Sequence, residues 1–325
     1  MSRAGAREKE ASTMALPRSP IADLCTSLAA GALALGLAAA PAAAGTSALV
    51  VGVDDYSDST ALNDLKGAVA DARDIAGALE SLDVAPIELL LDDRASRPTV
   101  FAAWDRLIAD AAAGDTIVVF FAGHGGQLAE ARPGEEDDGL DEIFMLGDFD
   151  PEDSHSLILD NEFYGWWQQA AAKAVDIVFI ADTCHSGGLD RTLRTRWGGT
   201  YDVSADDIPD LPAEDPDAPL PHVTRVLAAL EHQVIPELLF EGEGWRGALS
   251  YVLGHGLRGA ADLDRDGAIR RSELRRYVVD QVRHEAGARH RPDVRPLEGP
   301  DPVLFGAAGG PRPGARPPAR PRPRR

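Results

Sequence analysis

Two short segments hold the residues best suited to covalent chemistry: Ala122-Gly123-His124-Gly125-Gly126 and Asp182-Thr183-Cys184-His185-Ser186-Gly187-Gly188. Each ends an apolar run rich in β-branched and aromatic residues, TIVVFF at 116–121 and VDIVFIA at 175–181. Ligands of open parallel sheets bind at the carboxyl ends of the strands, so His124 and Cys184 are expected at one edge although far apart in sequence. A cysteine needs a nearby base to be substantially thiolate at neutral pH, and His124 is placed to take that proton and return it to a leaving amine. His185 is the poorer base, because adjacent side chains leaving a strand point to opposite sides. The surrounding glycines let a substrate backbone approach, and the amides of Gly125 and Cys184 are candidates to face a developing oxyanion. Two other readings remain: an inert buried thiol at Cys184, and a metal site of Cys184, His124 and His185, which matches no zinc-ligand spacing.

Those segments must be held by strands. The runs at 48–53, 87–91, 116–121 and 175–181 are nearly continuous in apolar residues, as strands buried on both faces are. Helical spacing appears between them at 65–82, 99–112 and 162–174. The alternation predicts an α/β fold, a mainly parallel sheet with helices on both faces. A further strand is expected at 223–230, with helices at 245–258 and 272–285. The segment 198–222 reads as an exposed linker, with prolines and seven acids between Asp202 and Asp217. The last twenty residues form a Pro/Arg-rich tail that cannot pack, setting the end of the folded part near 305.

The composition is globular, with 44% hydrophobic and 26% charged residues, which excludes a fibrous or wholly disordered chain. Net charge is -21, and six arginines in the tail leave the remainder near -27. So acidic a body repels nucleic-acid phosphates and anionic lipid and favours cations and basic peptides. Residues 24–44 are uncharged, follow Arg18 and end in small residues, the plan of a secretory signal with cleavage after Ala44. An uncleaved anchor is the alternative, and Met14 is a candidate start. Cleavage would remove Cys25 and leave Cys184 as the lone thiol of an exported protein, a flag for reactivity.

Four segments together resemble the caspase-like cysteine peptidases: 50–56, the LKGAVADA stretch at 65–72, 121–126 and 182–187. The AGHG and DTCHSG signatures are most similar to the metacaspase branch, and the resemblance runs in order over about 47–305. It implies a caspase-like three-layer αβα sandwich, peptide-bond hydrolysis, His124 as base and Cys184 as nucleophile. It also implies cleavage after Arg or Lys through an acidic pocket, whose acids fall on Asp71 and Asp182. Paired carboxylates favour a guanidinium or ammonium, which agrees; the plain alternative for Asp71 is a helix-surface acid. The chain departs from the family where Ala122, Ala68 and Ala70 replace the usual Ser, Cys and Asn.

Acids cluster elsewhere too. Thirteen lie between Glu130 and Glu162 against one arginine, a density that reads as solvated loop. The resemblance implies calcium bound near Asp160 and Asp190, although Asn161 stands at one ligand position and the loop after Cys184 is a residue short. A separate signal is local: Asp262-Leu263-Asp264-Arg265-Asp266-Gly267 followed by Glu273 matches the EF-hand-like loop D-x-D-x-D-G-x5-E. Asp262, Asp264, Asp266 and Glu273 are its side-chain ligands and Ala268 would add a backbone carbonyl. A second hand is missing and Arg270 stands at loop position nine; acids facing water are the alternative.

The expectation is therefore an exported, periplasmic or extracellular cysteine endopeptidase acting on basic sites in proteins, with calcium and no organic cofactor. The alternatives are a non-catalytic calcium-dependent binding module on the same fold, or a peptidase specific for Asn or Asp. Arg191, Arg194 and Arg196 suggest self-processing between about 191 and 200.

Overall fold

The structure, a computed structural model, describes residues 44–56, 62–129, 139–150, 153–183, 220–228, 237–288 and 290–306. The expected signal at 1–44, all but 220–222 of the linker, the tail beyond 306, Cys184 and Asp190 lie outside those residues, Ala44 apart.

A six-stranded sheet forms the middle layer. Its strands are β1 (Thr46–Gly52), β2 (Ile87–Leu91), β3 (Thr116–Ala122), β7 (Asp176–Asp182), β8 (Val223–Leu227) and β12 (Asp293–Arg295), in the order β12-β8-β7-β3-β1-β2. All neighbours are parallel except β12, which runs antiparallel to β8. Side chains alternate between the two faces with the strand period of two. Leu49, Val51, Ile117, Val119, Phe121, Ile177 and Phe179 enter one apolar cluster. Ala48, Val50, Val118, Phe120, Val178 and Ile180 enter the other.

Each face is covered by helices. On the first lie α2 (Arg97–Asp110) and α3 (Asp160–Ala172), joined by Trp104 stacked on Trp166 at 4.6 Å, with Phe163 of α3 against Phe179 of β7 at 4.9 Å. On the second lie α1 (Ala68–Glu80), α4 (Ala248–His255) and α5 (Arg271–Ala286), through Ala72, Ile75, Leu79, Leu249, Leu253, Leu274 and Val278. Burying each large apolar side chain contributes about 1.5–3 kcal/mol, and a sheet apolar on both faces satisfies that only between two helical layers. The expected mainly parallel αβα sandwich is what the chain adopts.

Three expectations need correction. The acid-rich stretch is not simply loop, since β5 (Leu140–Met145) pairs antiparallel with β4 (Gly125–Ala129) and with β6 (Leu157–Leu159). Ile143, Phe144, Met145, Leu146 and Phe149 sink into the first cluster between the acids, so apolar spacing outweighed charge density. The helix expected from 245 begins at 248, because Gly244–Arg246 forms β10, paired with β9 (Leu238–Phe240). The helix expected from 65 begins at 68, where the Asp54 carboxylate accepts from the Ala68 amide at 2.7 Å.

Candidate active site

The register of the sheet builds the site. β3 and β7 are adjacent and parallel with Ala122 opposite Asp182, so His124 and Cys184 each follow a paired position by two residues. Thr183 is the last described residue before the cysteine. His124 lies between β3 and β4, and Gly125 opens β4 opposite Phe144.

His124 is held on three sides. Its Nε2 lies 2.8 Å from the carbonyl of Asn63, which only accepts, so Nε2 carries the proton and Nδ1 is left as the acceptor. Its backbone N–H donates to the Tyr56 hydroxyl at 2.9 Å, and its carbonyl accepts from the Met145 amide at 3.0 Å. The Tyr56 ring packs against the imidazole at 4.7 Å. Burial pulls the His124 pKa below the usual histidine value, against the Asn63 carbonyl and the Glu237 and Asp64 carboxylates, which pull it upward. A neutral imidazole whose Nδ1 has no partner among the described residues has the form a general base requires.

Asp71 and Asp182 converge on the start of α4. Asp71, buried in the first turn of α1, accepts from the Gly247 amide at 2.7 Å and is ion-paired with Arg246. Asp182 accepts from the amide and hydroxyl of Ser250 at 2.8 and 2.6 Å. Two carboxylates thus cap one helix N-terminus, where the exposed amides and the helix dipole favour negative charge. Gly247 has no space for a Cβ, which would fall 2.1 Å from the Asp182 carboxylate. Burial pushes both carboxyls up; Asp182 adds to the effect on Asp71, while Arg246 draws Asp71 back down. The two acids are therefore together, and Asp71 is no helix-surface acid. The cation between the layers belongs to the chain itself: Arg246 is 4% exposed and also reaches Asp74 at 3.0 Å, which in turn binds Arg258 at 2.6 Å.

The predicted calcium loop lies between α4, extended by one wide turn at Gly256–Ala260, and α5. Carboxylate oxygens of Asp262, Asp264 and Glu273 fall within 4.8 Å of one another. Asp262 accepts from the amides of Asp266 and Gly267 at 3.1 and 3.0 Å, and Gly267 has the positive φ of 89° that the turn demands. Ala268 begins β11 (Ala268–Arg270), which pairs with β13 (Val303–Gly306) where paired hands would place a second loop. Asp266 binds the Arg270 guanidinium at 2.6 Å, and that group lies 3.9 Å from Asp264 and from Glu273. Arg270 holds the Asp266 carboxyl below its ordinary value. The hard oxygen donors suit calcium rather than a soft metal. Asp160 stands at the start of α3, where its carboxylate accepts from the Asn161 amide at 3.1 Å.

Residues 46–191 match the family model of the metacaspase, peptidase C14 domain. Metacaspase III c of Phaeodactylum tricornutum is 30% identical over 155 residues, 45% of this chain and 44% of that protein. Metacaspase-1 of Saccharomyces cerevisiae is 30% identical over 149 residues, 43% of this chain and 33% of the relative. Over residues 46–191 the chain is similar to the metacaspase peptidases. The chain spans less than half the length of these curated relatives. Among solved structures, protein GSU0716 from Geobacter sulfurreducens superposes with a TM-score of 0.57 at 20% identity, covering 81% of this chain and 97% of that one, a likeness of fold.

Within the matched segment no sequence signal marks what holds the base. Tyr56 and Asn63 sit in the connection after β1, and only the three-dimensional path brings them to His124. Arg246 and Ser250, the partners of the two acids, lie beyond the matched segment. Glu237, whose carboxylate accepts from the Gly67 amide at 2.6 Å, was likewise unmarked. No periodicity or spacing reports such partners, because each contact closes a loop of tens of residues.

Proposed function

We propose that this protein is a cysteine endopeptidase that cleaves after Arg or Lys. The single observation that carries the reading is His124, just past the end of β3, with its Nε2 held by Asn63, no partner for Nδ1 among the described residues and a lowered pKa, next to the end of β7, two residues before Cys184 in sequence. In the first step the Cys184 thiol gives its proton to His124 Nδ1 and the sulfur attacks the substrate carbonyl carbon. The tetrahedral oxyanion collapses as the C–N bond breaks, and the imidazolium returns the proton to the leaving amine. Water then attacks the acyl thioester, His124 takes its proton, and release of the thiolate completes the acid product. Gly125 is assigned to the oxyanion side, with the Cys184 amide as partner.

Specificity for a basic residue is supported by the acid pair of Asp71 and Asp182 and by the guanidinium already bound to Asp71. A basic substrate side chain entering there would share Asp71 with Arg246 and meet Asp182 directly. Calcium is part of the reading: Asp262, Asp264, Asp266, the Ala268 carbonyl and Glu273 would hold one ion as structural support, with Asp160 and Asp190 assigned to a second. The charge-free run at 24–44 supports export.

The test is hydrolysis of reporter peptides ending in Arg, Lys, Asp or Asn, with and without calcium. Turnover of the Arg and Lys peptides that vanishes in Cys184→Ala and falls by at least about a hundredfold in His124→Ala is expected. Persistent turnover in Cys184→Ala overturns the mechanism, and preference for Asp or Asn overturns the specificity.

A further inference from the structure

We infer that Tyr56 is the positioning residue for the catalytic base, acting through the backbone and ring of His124. Its side chain is 2% exposed, and its hydroxyl uses both of its capacities: it accepts from the His124 amide at 2.9 Å and donates to the Met145 carbonyl at 3.1 Å. Met145 in turn donates its amide to the His124 carbonyl at 3.0 Å, so one phenol closes a ring of bonds around the peptide unit that carries the imidazole. The aromatic face of the same residue lies 4.7 Å from the imidazole. Burial pushes the phenol far above its ordinary pKa, so the hydroxyl keeps its proton and stays a donor at any working pH.

The position leaves no slack. A Cβ on Gly123 would lie 2.8 Å from the Tyr56 hydroxyl, so the glycine before His124 is what lets the phenol approach. Tyr56 is itself fixed from outside. The Asp64 carboxylate accepts from the Tyr56 amide at 2.9 Å, and Asp92 accepts from the amides of Asp54 and Asp55 at 2.9 and 3.1 Å. The same connection supplies the Asn63 carbonyl to Nε2. The segment after β1 therefore grips the base at the imidazole, the main chain and the ring face, and Tyr56 makes two of those three contacts.

The inference rests on His124 acting as the base, and the test separates the two. Tyr56→Phe keeps the ring and removes only the hydroxyl. In the full chain it should lower kcat about ten- to a hundredfold with KM changed less than about threefold, since misplacing a reacting group acts on the chemical step. The His124 imidazole, followed by NMR, should titrate closer to its ordinary value as its packing loosens, a change that a merely structural role would not produce. Asp64→Ala, which frees the Tyr56 amide from the solvent side, should lower kcat in the same way by a smaller factor. Unchanged kcat and an unchanged His124 titration in Tyr56→Phe overturn the inference. If the wild type cleaves no peptide, the peptidase reading fails and the His124 titration alone decides the role of Tyr56.

Discussion

Replacing Arg246 by methionine should destabilise the protein severely, and the structure gives the scale. The guanidinium is 4% exposed and Asp71 is 2% exposed, so neither charge has water to fall back on. Methionine retains much of the side-chain volume, which leaves loss of the cation as the main change. Removing one member of a buried pair costs about 3–5 kcal/mol, because the remaining charge is stranded. For a domain of this size that is roughly 6–20 °C in Tm. The double variant Asp71→Leu with Arg246→Met should recover most of the loss, since an apolar replacement of both partners is often neutral. Measurement is by urea unfolding of each variant in a Cys184→Ala background, which removes any self-cleavage. The pH dependence has a definite sign. Asp71 is already pushed above its unfolded value, and losing Arg246 pushes it further; a group with a raised folded pKa loses stability as pH rises, so the deficit should be smaller at about pH 5 than at about pH 9. A single variant within about 1 kcal/mol of the parent, or a double variant no better than the single, would refute the claim that Arg246 compensates a buried Asp71.

Two further outcomes follow from the electrostatics. With His124 drawn below its ordinary value of 6.5, the base stays neutral into mild acid, so the acid limb of the kcat/KM profile should fall below pH 6.5, and a limb near neutrality in the wild type would contradict the burial argument. Glu273→Gln should abolish a calcium-dependent rise in stability of about 1.4–2.7 kcal/mol, the value for an ion at about ten to a hundred times its Kd; equal calcium responses in both proteins would remove the site.

What the sequence made legible depended on how local the determining physics is. β1, β3 and β7 are covered on both faces, so runs such as TIVVFF announce them without any alternation to decode. The calcium-type loop is equally local, because twelve consecutive residues fix its turn and its donors. The β4–β6 sheet was hidden because Gly125 and Gly126 dilute the apolar signal and acids flank Ile143, Phe144 and Met145. β11 has three residues and finds its partner, β13, more than thirty positions away. Such pairings leave no mark on either segment taken alone.

The same distinction separates the chemistry of the site from its aim. Residue types and strand ends are enough to nominate His124 and Cys184, because a parallel sheet delivers its carboxyl ends to one edge whatever its loops do. They say nothing about which imidazole nitrogen carries the proton, which follows from the Asn63 carbonyl, or about what fixes the main chain that bears the ring, which is the Tyr56 phenol. Nor do they reveal that an acid nominated for a substrate cation is bound to Arg246, which lies 175 residues beyond Asp71 in the chain. Pairing Asp71 internally fixes the start of α4 against α1, whereas Asp182 accepts from the neutral donors of Ser250 and, among the described residues, feels Arg246 only through its field and not through an ion pair. A basic substrate side chain would therefore gain most from Asp182, so Asp182→Asn should reduce kcat/KM for Arg and Lys peptides more than it reduces the rate with an uncharged one. An equal loss on both would assign Asp182 to capping α4 alone.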